Sequence, residues 1–267
     1  MGRAVVAVRV GKPVVLRCLV AGGLELLVGS RLKAITRHLH FLAFSFGPEP
    51  TRSAGYDLVV NPMLAGRFRL AAPADRNEAA LAFALELEGG SEMRYLDDKQ
   101  MGKVYLTAPG KWEAIPGLGA AGVDVLSADF TPERFATLVA KRRDQVRVFL
   151  LDKSAIDSLG NAYADEVLFE AGIHPKTWCR SLSSDDVARL QASIVKVLRE
   201  ATEEVARRGE PTEVKVRDFL KVRLKEKCPR CGGKIRRAGV RGMDAYFCPR
   251  CQPETRAGLV DWRKTGR

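Results

Sequence analysis

Leu151-Asp152-Lys153-Ser154-Ala155-Ile156-Asp157-Ser158-Leu159-Gly160-Asn161-Ala162-Tyr163-Ala164-Asp165-Glu166-Val167-Leu168-Phe169-Glu170-Ala171-Gly172-Ile173-His174-Pro175 reads as the tail of one helix, a sharp break and a second helix. Val146, Phe149, Leu150, Lys153 and Ile156 fall at helical intervals, so the first helix is expected from Val146 to Ser158. Leu159-Gly160-Asn161 breaks the pattern. Asn161 then opens a second helix through Ala171, which Gly172 ends just before His174-Pro175. A Gly-Asn pair at a helix start exposes backbone N–H groups, and the Asn amide adds a donor that suits a phosphate oxygen. Asn also serves well as a plain cap. At this point both roles for Asn161 are open.

Helical signals continue on either side. Thr131-Pro132 has the form of an N-cap followed by proline at the first helical position. Ser183 with Asp186 resembles a capping box, and the helix it starts runs through Ile194, Val197 and Leu198 to about Arg208. Beyond it, Cys228-Pro229-Arg230-Cys231 and Cys248-Pro249-Arg250-Cys251 form two CxxC pairs separated by sixteen residues. Each pair puts two sulfurs on one tight turn, and together they make a tetrahedral thiolate cage for one structural Zn²⁺. Two disulfides are the other reading of such a quartet. Only Cys18 and Cys179 lie outside it, a usage that suits a reducing compartment.

The amino-terminal part reads differently. Val5 to Val10, Pro13 to Val20 and Ile35 to Phe46 are β-branched or aromatic runs bounded by Gly- and Pro-rich breakers. Shorter strands are expected at Asp57–Asn61, Arg67–Ala72, Leu81–Leu87, Arg94–Leu96 and Lys103–Thr107. Many short strands with turn punctuation suggest a sandwich or barrel. The chain is thus expected to be α+β: a β-sandwich over 1–110, a linker over 111–130, a helical domain over 131–220, and a zinc ribbon with a basic tail over 221–267.

Net charge over the 267 residues is +12, which favours an anionic partner. Residues 221–267 alone carry fourteen Lys/Arg against four Asp/Glu. A solvated basic tail without a partner is the plainer alternative. No apolar run approaches the ~20 residues of a spanning helix, and the start lacks the pattern of a signal peptide. A cytoplasmic, nucleoid-associated protein with no membrane partner is expected.

The stretch from Leu151 to Pro175 resembles the helix–two-turn–helix of bacterial formamidopyrimidine-DNA glycosylases, the family that also contains endonuclease VIII. The cysteine quartet has that family's spacing. Asn61-Pro62-Met63-Leu64-Ala65-Gly66-Arg67, Asp97-Asp98-Lys99-Gln100-Met101-Gly102-Lys103 and Cys251-Gln252-Pro253 resemble further family segments. The resemblance implies a monomer that binds double-stranded, damaged or abasic DNA in base excision repair, with DNA crossing a positive cleft between two domains. It implies excision of oxidised bases and nicking at the abasic site. It makes Asn161 a phosphate ligand and puts an apolar wedge for the vacated base position at Leu64 or Met63. Lys99 and Met101 stand where the family completes that wedge with arginine and phenylalanine. Tyr163 and His174 are expected to be structural.

Three features depart from the family. Its amine catalysis uses an N-terminal proline, which forms a Schiff base at the sugar C1′, followed by a glutamate. This chain begins Met1-Gly2-Arg3, and Gly2-Arg3-Ala4-Val5 matches the family's first strand, so an opening helix is expected to be absent. His40 stands where the family has a hairpin lysine; it is either a phosphate or proton ligand or a half-buried strand histidine. Met243 stands where the family's zinc-finger arginine falls, with Arg241 two residues away as its substitute. Whether the chain is an enzyme is therefore left open, the alternative being a non-catalytic lesion binder on the same scaffold. A third reading, an RNA-binding zinc-ribbon protein, predicts preference for single strands.

Overall fold

The computed structural model describes residues 2–48, 55–76, 78–119, 122–210 and 217–254. The chain divides into two compact units, the first containing Met1–Ala120, the second Ala121–Gly209 and Val216–Arg267.

The described residues of the first unit form nine strands: β1 Val5–Val10, β2 Leu16–Cys18, β3 Arg31–His38, β4 Phe41–Gly47, β5 Tyr56–Asn61, β6 Arg67–Ala71, β7 Leu81–Leu87, β8 Ser91–Leu96 and β9 Lys103–Thr107. They form a five-stranded sheet, β2-β9-β5-β4-β3, and a four-stranded sheet, β1-β7-β8-β6. One core fills the space between them: Leu32, Phe44, Leu58, Val60, Val104 and Leu106 from one sheet meet Val5, Phe83, Leu85, Met93 and Tyr95 from the other. This is the expected β-sandwich. Three connections cross from sheet to sheet: β1 to β2, β5 to β6 and β8 to β9. The last two run side by side, because Asn61 pairs with Lys103 in one sheet and Arg67 with Leu96 in the other.

Some expected elements are subdivided. Ile35 to Phe46 is not one run: Leu39 at φ 58° turns the chain, and His38 pairs with Phe41 across a tight hairpin. Pro13–Val15 is a 3-10 turn, and only Leu16–Cys18 joins the sheet, parallel to β9.

The second unit contains β10 Val123–Asp124, α1 Pro132–Ala140, α2 Val146–Leu150, β11 Ile156–Asp157, α3 Asn161–Ala171, α4 Ser184–Arg208, and the hairpin β12 Arg236–Val240 with β13 Met243–Phe247. Thr131 Oγ1 accepts from the Arg134 N–H at 3.2 Å, as its sequence signature requires. Leu190, Ile194, Val197 and Leu198 form the buried stripe of α4 and pack with Phe135, Phe149, Val167 and Leu168.

The expected helix from Val146 to Ser158 is wrong in length. Helix α2 stops at Leu150. Asp152 Oδ1 then accepts from the Ser154 N–H and Oγ–H at 3.0 and 2.6 Å, a local turn that competes with helix. Ile156 and Asp157 leave the helical path to pair in parallel with Val123 and Asp124. These turns bring Gly160 and Asn161 to the start of α3.

Ser183 Oγ accepts from the Asp186 N–H at 3.1 Å and the Ser183 N–H donates to Asp186 Oδ2 at 3.0 Å, a complete capping box. Ser183→Ala should destabilise the second unit by about 1 kcal/mol, read as a lower urea midpoint with an unchanged slope.

Candidate nucleic-acid interface

The sulfurs of Cys228, Cys231, Cys248 and Cys251 all lie within 4.8 Å of one another. Cys228 and Cys251 are 3.7 Å apart, Cys231 and Cys248 3.5 Å. A disulfide needs ~2.05 Å, whereas four sulfurs ~2.3 Å from a central zinc stand ~3.8 Å apart. The donor set and its spacing therefore fit one tetrahedral Zn²⁺ and exclude the two-disulfide reading. The ribbon's hairpin turns through Arg241 (φ 46°) and Gly242 (φ 76°), a two-residue turn with both positions left-handed. Arg241 is exposed at its tip, and Met243 follows on the first position of β13, also exposed.

The ribbon is docked onto α3 by groups whose role was not legible in the sequence. Glu166, buried, accepts backbone N–H bonds from Lys221, Val222 and Arg223 at 2.7, 3.0 and 2.9 Å. Gln252, also buried, accepts from the Cys248 N–H at 3.0 Å and donates to the Ile173 carbonyl at 2.9 Å. Arg230 donates to the Phe169 carbonyl at 2.7 Å and lies over that residue's ring at 4.3 Å. Phe169, Val222 and Ile235 pack with the metal-site cysteines in a small core of their own. His174 is structural: its ring meets Phe247 edge-on at 4.6 Å, and burial pushes its pKa down, in keeping with Nδ1 accepting from the Lys176 N–H at 3.2 Å.

Asn161 is the first residue of α3, behind Gly160, which provides no side-chain cap. The first turn holds no acid, so the positive end of the helix is uncompensated. Arg147, fully buried on α2, donates from Nη2 to Asn161 Oδ1 at 3.3 Å. This commits the amide oxygen to Arg147 and leaves the NH₂ as the amide's donor group. The same guanidinium donates to Asp165 Oδ1 at 2.9 Å and to the Asp244 carbonyl in the ribbon hairpin at 2.8 Å. Arg223 completes the cluster, donating to Asp165 Oδ2 at 2.7 Å and to the same Asp244 carbonyl at 3.1 Å. One buried carboxylate thus holds two arginines that both grip the ribbon hairpin. The available signal was Asp165 lying four residues after Asn161, on the same helix face; Arg147 looked like an ordinary polar position on an amphipathic helix.

In the first unit the β5–β6 and β8–β9 loops carry the expected wedge residues. Met63 (φ 50°) and Leu64 occupy the turn after β5, 45% and 69% exposed. The Met63 N–H donates to Asn61 Oδ1 at 3.0 Å, and the Gly66 N–H returns to the Pro62 carbonyl at 2.8 Å. Lys99 and Met101 lie on the neighbouring loop, Met101 41% exposed. Buried Asp97 shapes that loop by accepting from the Lys99 and Gly102 N–H groups at 3.2 and 2.7 Å, and Arg67 pairs with Asp98 across the two loops at 3.0 Å. His40 is half-buried in the β3–β4 turn, not on a strand as the plainer expectation had it, with its ring 4.4 Å from that of Phe41.

Comparison with known proteins agrees with this geometry. Residues 121–210 match the formamidopyrimidine-DNA glycosylase H2TH domain, and residues 225–253 match the zinc finger found in FPG and IleRS. A formamidopyrimidine-DNA glycosylase of Symbiobacterium thermophilum is 35% identical over 85% of this chain and 75% of its own length. That of Brevibacillus brevis is 33% identical over 85% and 83%. The Lactococcus lactis FPG, solved in complex with FAPY-dG-containing DNA, superposes with a TM-score of 0.81 at 24% identity, covering 95% of this chain and 94% of that one. The chain belongs to the formamidopyrimidine-DNA glycosylase family. No helix among the described residues is long and apolar enough to cross a membrane.

Removing zinc with a chelator should unfold the ribbon, because its core consists of little more than the cysteines and three apolar side chains. Hydrogen exchange at the Lys221, Val222 and Arg223 amides reads this directly; amides that stay protected after chelation would refute metal-dependent docking.

Proposed function

We propose that this protein binds damaged or abasic duplex DNA in base excision repair, excising oxidised bases and nicking the abasic site as its family does. The observation that carries the DNA-binding reading is the open amino terminus of α3, with an amide oriented by an arginine that also holds the zinc hairpin. An uncapped helix end, an amide NH₂ donor beside it and a basic ribbon on the same unit suit successive phosphates of one strand. Arg241 at the hairpin tip is assigned to a flanking phosphate. Met63 or Leu64, with Lys99 and Met101 beside them, is assigned to the gap left by an extruded base. We infer that the protein acts where the chromosome lies, in the cytoplasm at the nucleoid, and as a monomer.

A second reading, a lesion binder without catalysis, is favoured by His40 and Met243, which stand where the family resemblance puts a lysine and an arginine. The two readings separate on a duplex with a single abasic site treated with borohydride. Excision and lyase chemistry proceeds through an amine–sugar imine that reduction makes permanent. A trapped protein–DNA adduct supports the enzyme; tight binding with neither adduct nor nick supports the binder.

Asn161→Ala should weaken binding to that duplex by about 1–3 kcal/mol, the range for a hydrogen bond to a charged group. Affinity should also fall steeply as salt rises. Unchanged affinity in the variant would remove Asn161 from the interface, and a flat salt profile would argue against a phosphate-tracking surface.

A further inference from the structure

Tyr95 is a fully buried residue of β8 whose hydroxyl has no hydrogen-bond partner among the described residues. A buried, unpaired hydroxyl destabilises a fold, and phenylalanine would fill the same ring site without it. The ring itself is well packed, 5.0 Å from Phe68 and 5.4 Å from Phe83 between ring centres. The hydroxyl lies against the β5–β6 and β8–β9 loops. A Cβ at Gly66 would come within 2.1 Å of it, and a Cβ at Gly102 would also come within 2.1 Å. Both loops therefore press bare backbone onto one oxygen atom. Gly66 closes the turn that carries Met63 and Leu64, and Gly102 directly follows Met101.

We propose that Tyr95 is a positioning residue for lesion recognition: its hydroxyl is the spacer between the two crossing loops, and it sets how far apart Met63 and Leu64 stand from Lys99 and Met101. This rests on the assignment of those loops to the base gap made above. A wedge that enters a stack must match the spacing of the gap, so a spacer one oxygen thick changes the fit without changing any residue that touches DNA. Asp97 fixes the second loop from within by its bonds to Lys99 and Gly102, and the Arg67–Asp98 pair draws the two loops together against the hydroxyl. The role accounts for a tyrosine at a site where its hydroxyl has no hydrogen-bond partner among the described residues.

The test uses the full chain with Tyr95→Phe and two duplexes, one intact and one with an abasic site opposite 2-aminopurine. The variant should melt at or above the wild-type temperature and bind intact duplex as the wild type does. Its preference for the abasic duplex should fall about tenfold, a scale that sub-ångström misplacement can reach, and the 2-aminopurine signal of unstacking should fall with it. Gly102→Ala, which pushes the second loop off the same oxygen, should lower the preference in the same direction. A Tyr95→Phe variant that keeps the wild-type preference and signal overturns the proposal. So does a variant that loses affinity for both duplexes alike along with its melting temperature, since the hydroxyl would then only support the sandwich. A wild-type protein with no preference for the abasic duplex would instead overturn the assignment of the loops.

Discussion

The Asp165 carboxylate, buried between the guanidiniums of Arg147 and Arg223, is the interaction on which the second unit depends. Taking one carboxylate and an arginine wholly out of water is unfavourable unless nearly every polar atom is paired. Here most of the surplus donors are used: both arginines reach the Asp244 carbonyl, and Arg147 also reaches Asn161, while Arg147 Nη1 has no partner among the described residues. Removing the acid would leave a buried positive charge, a loss of about 3–5 kcal/mol in comparable sites. The cluster also makes the ribbon hairpin and the α3 amino terminus a single rigid surface, although they are about eighty residues apart in sequence. The Asn161 amide is held by the same guanidinium that holds the ribbon hairpin.

Glu166 acts beside it in a different currency. Three consecutive N–H groups at the entry to the ribbon point into one carboxylate, which replaces water for donors that no helix or sheet satisfies. Zinc then closes the far side of the same small core. The ribbon is thus stabilised at both ends by electrostatics, by metal–thiolate bonds on one side and by carboxylate–amide bonds on the other. Its few apolar residues could not do this alone.

In the first unit the governing constraint is steric. One connection leaves the five-stranded sheet, from β5 to β6, and another returns to it, from β8 to β9, and the register of β5 with β9 and of β6 with β8 forces the two together. With both loops pressed on Tyr95, the exposed side chains at Met63, Leu64 and Met101 come from rigid turns. Exposed apolar residues on rigid turns are available to a partner without the entropy loss of ordering a flexible loop.

Patterns that depend on near neighbours were readable in the chain itself: strand alternation, the Thr131 and Ser183 caps, the break before α3, and the CxxC pairs. Each is a local preference of backbone or ligand geometry, satisfied within a few residues. Where long-range pairing competed with a local pattern, the local reading failed. Ile156 continued a helical period but was drawn into a strand with Val123, and Ile35 to Phe46 looked continuous until Leu39 turned it back on itself. The direction of the Asn161 amide, the arginine pair on Asp165 and the spacer role of Tyr95 had no sequence signature. They arise from burial and from contacts between distant segments, and only the folded chain brings those segments within hydrogen-bonding reach.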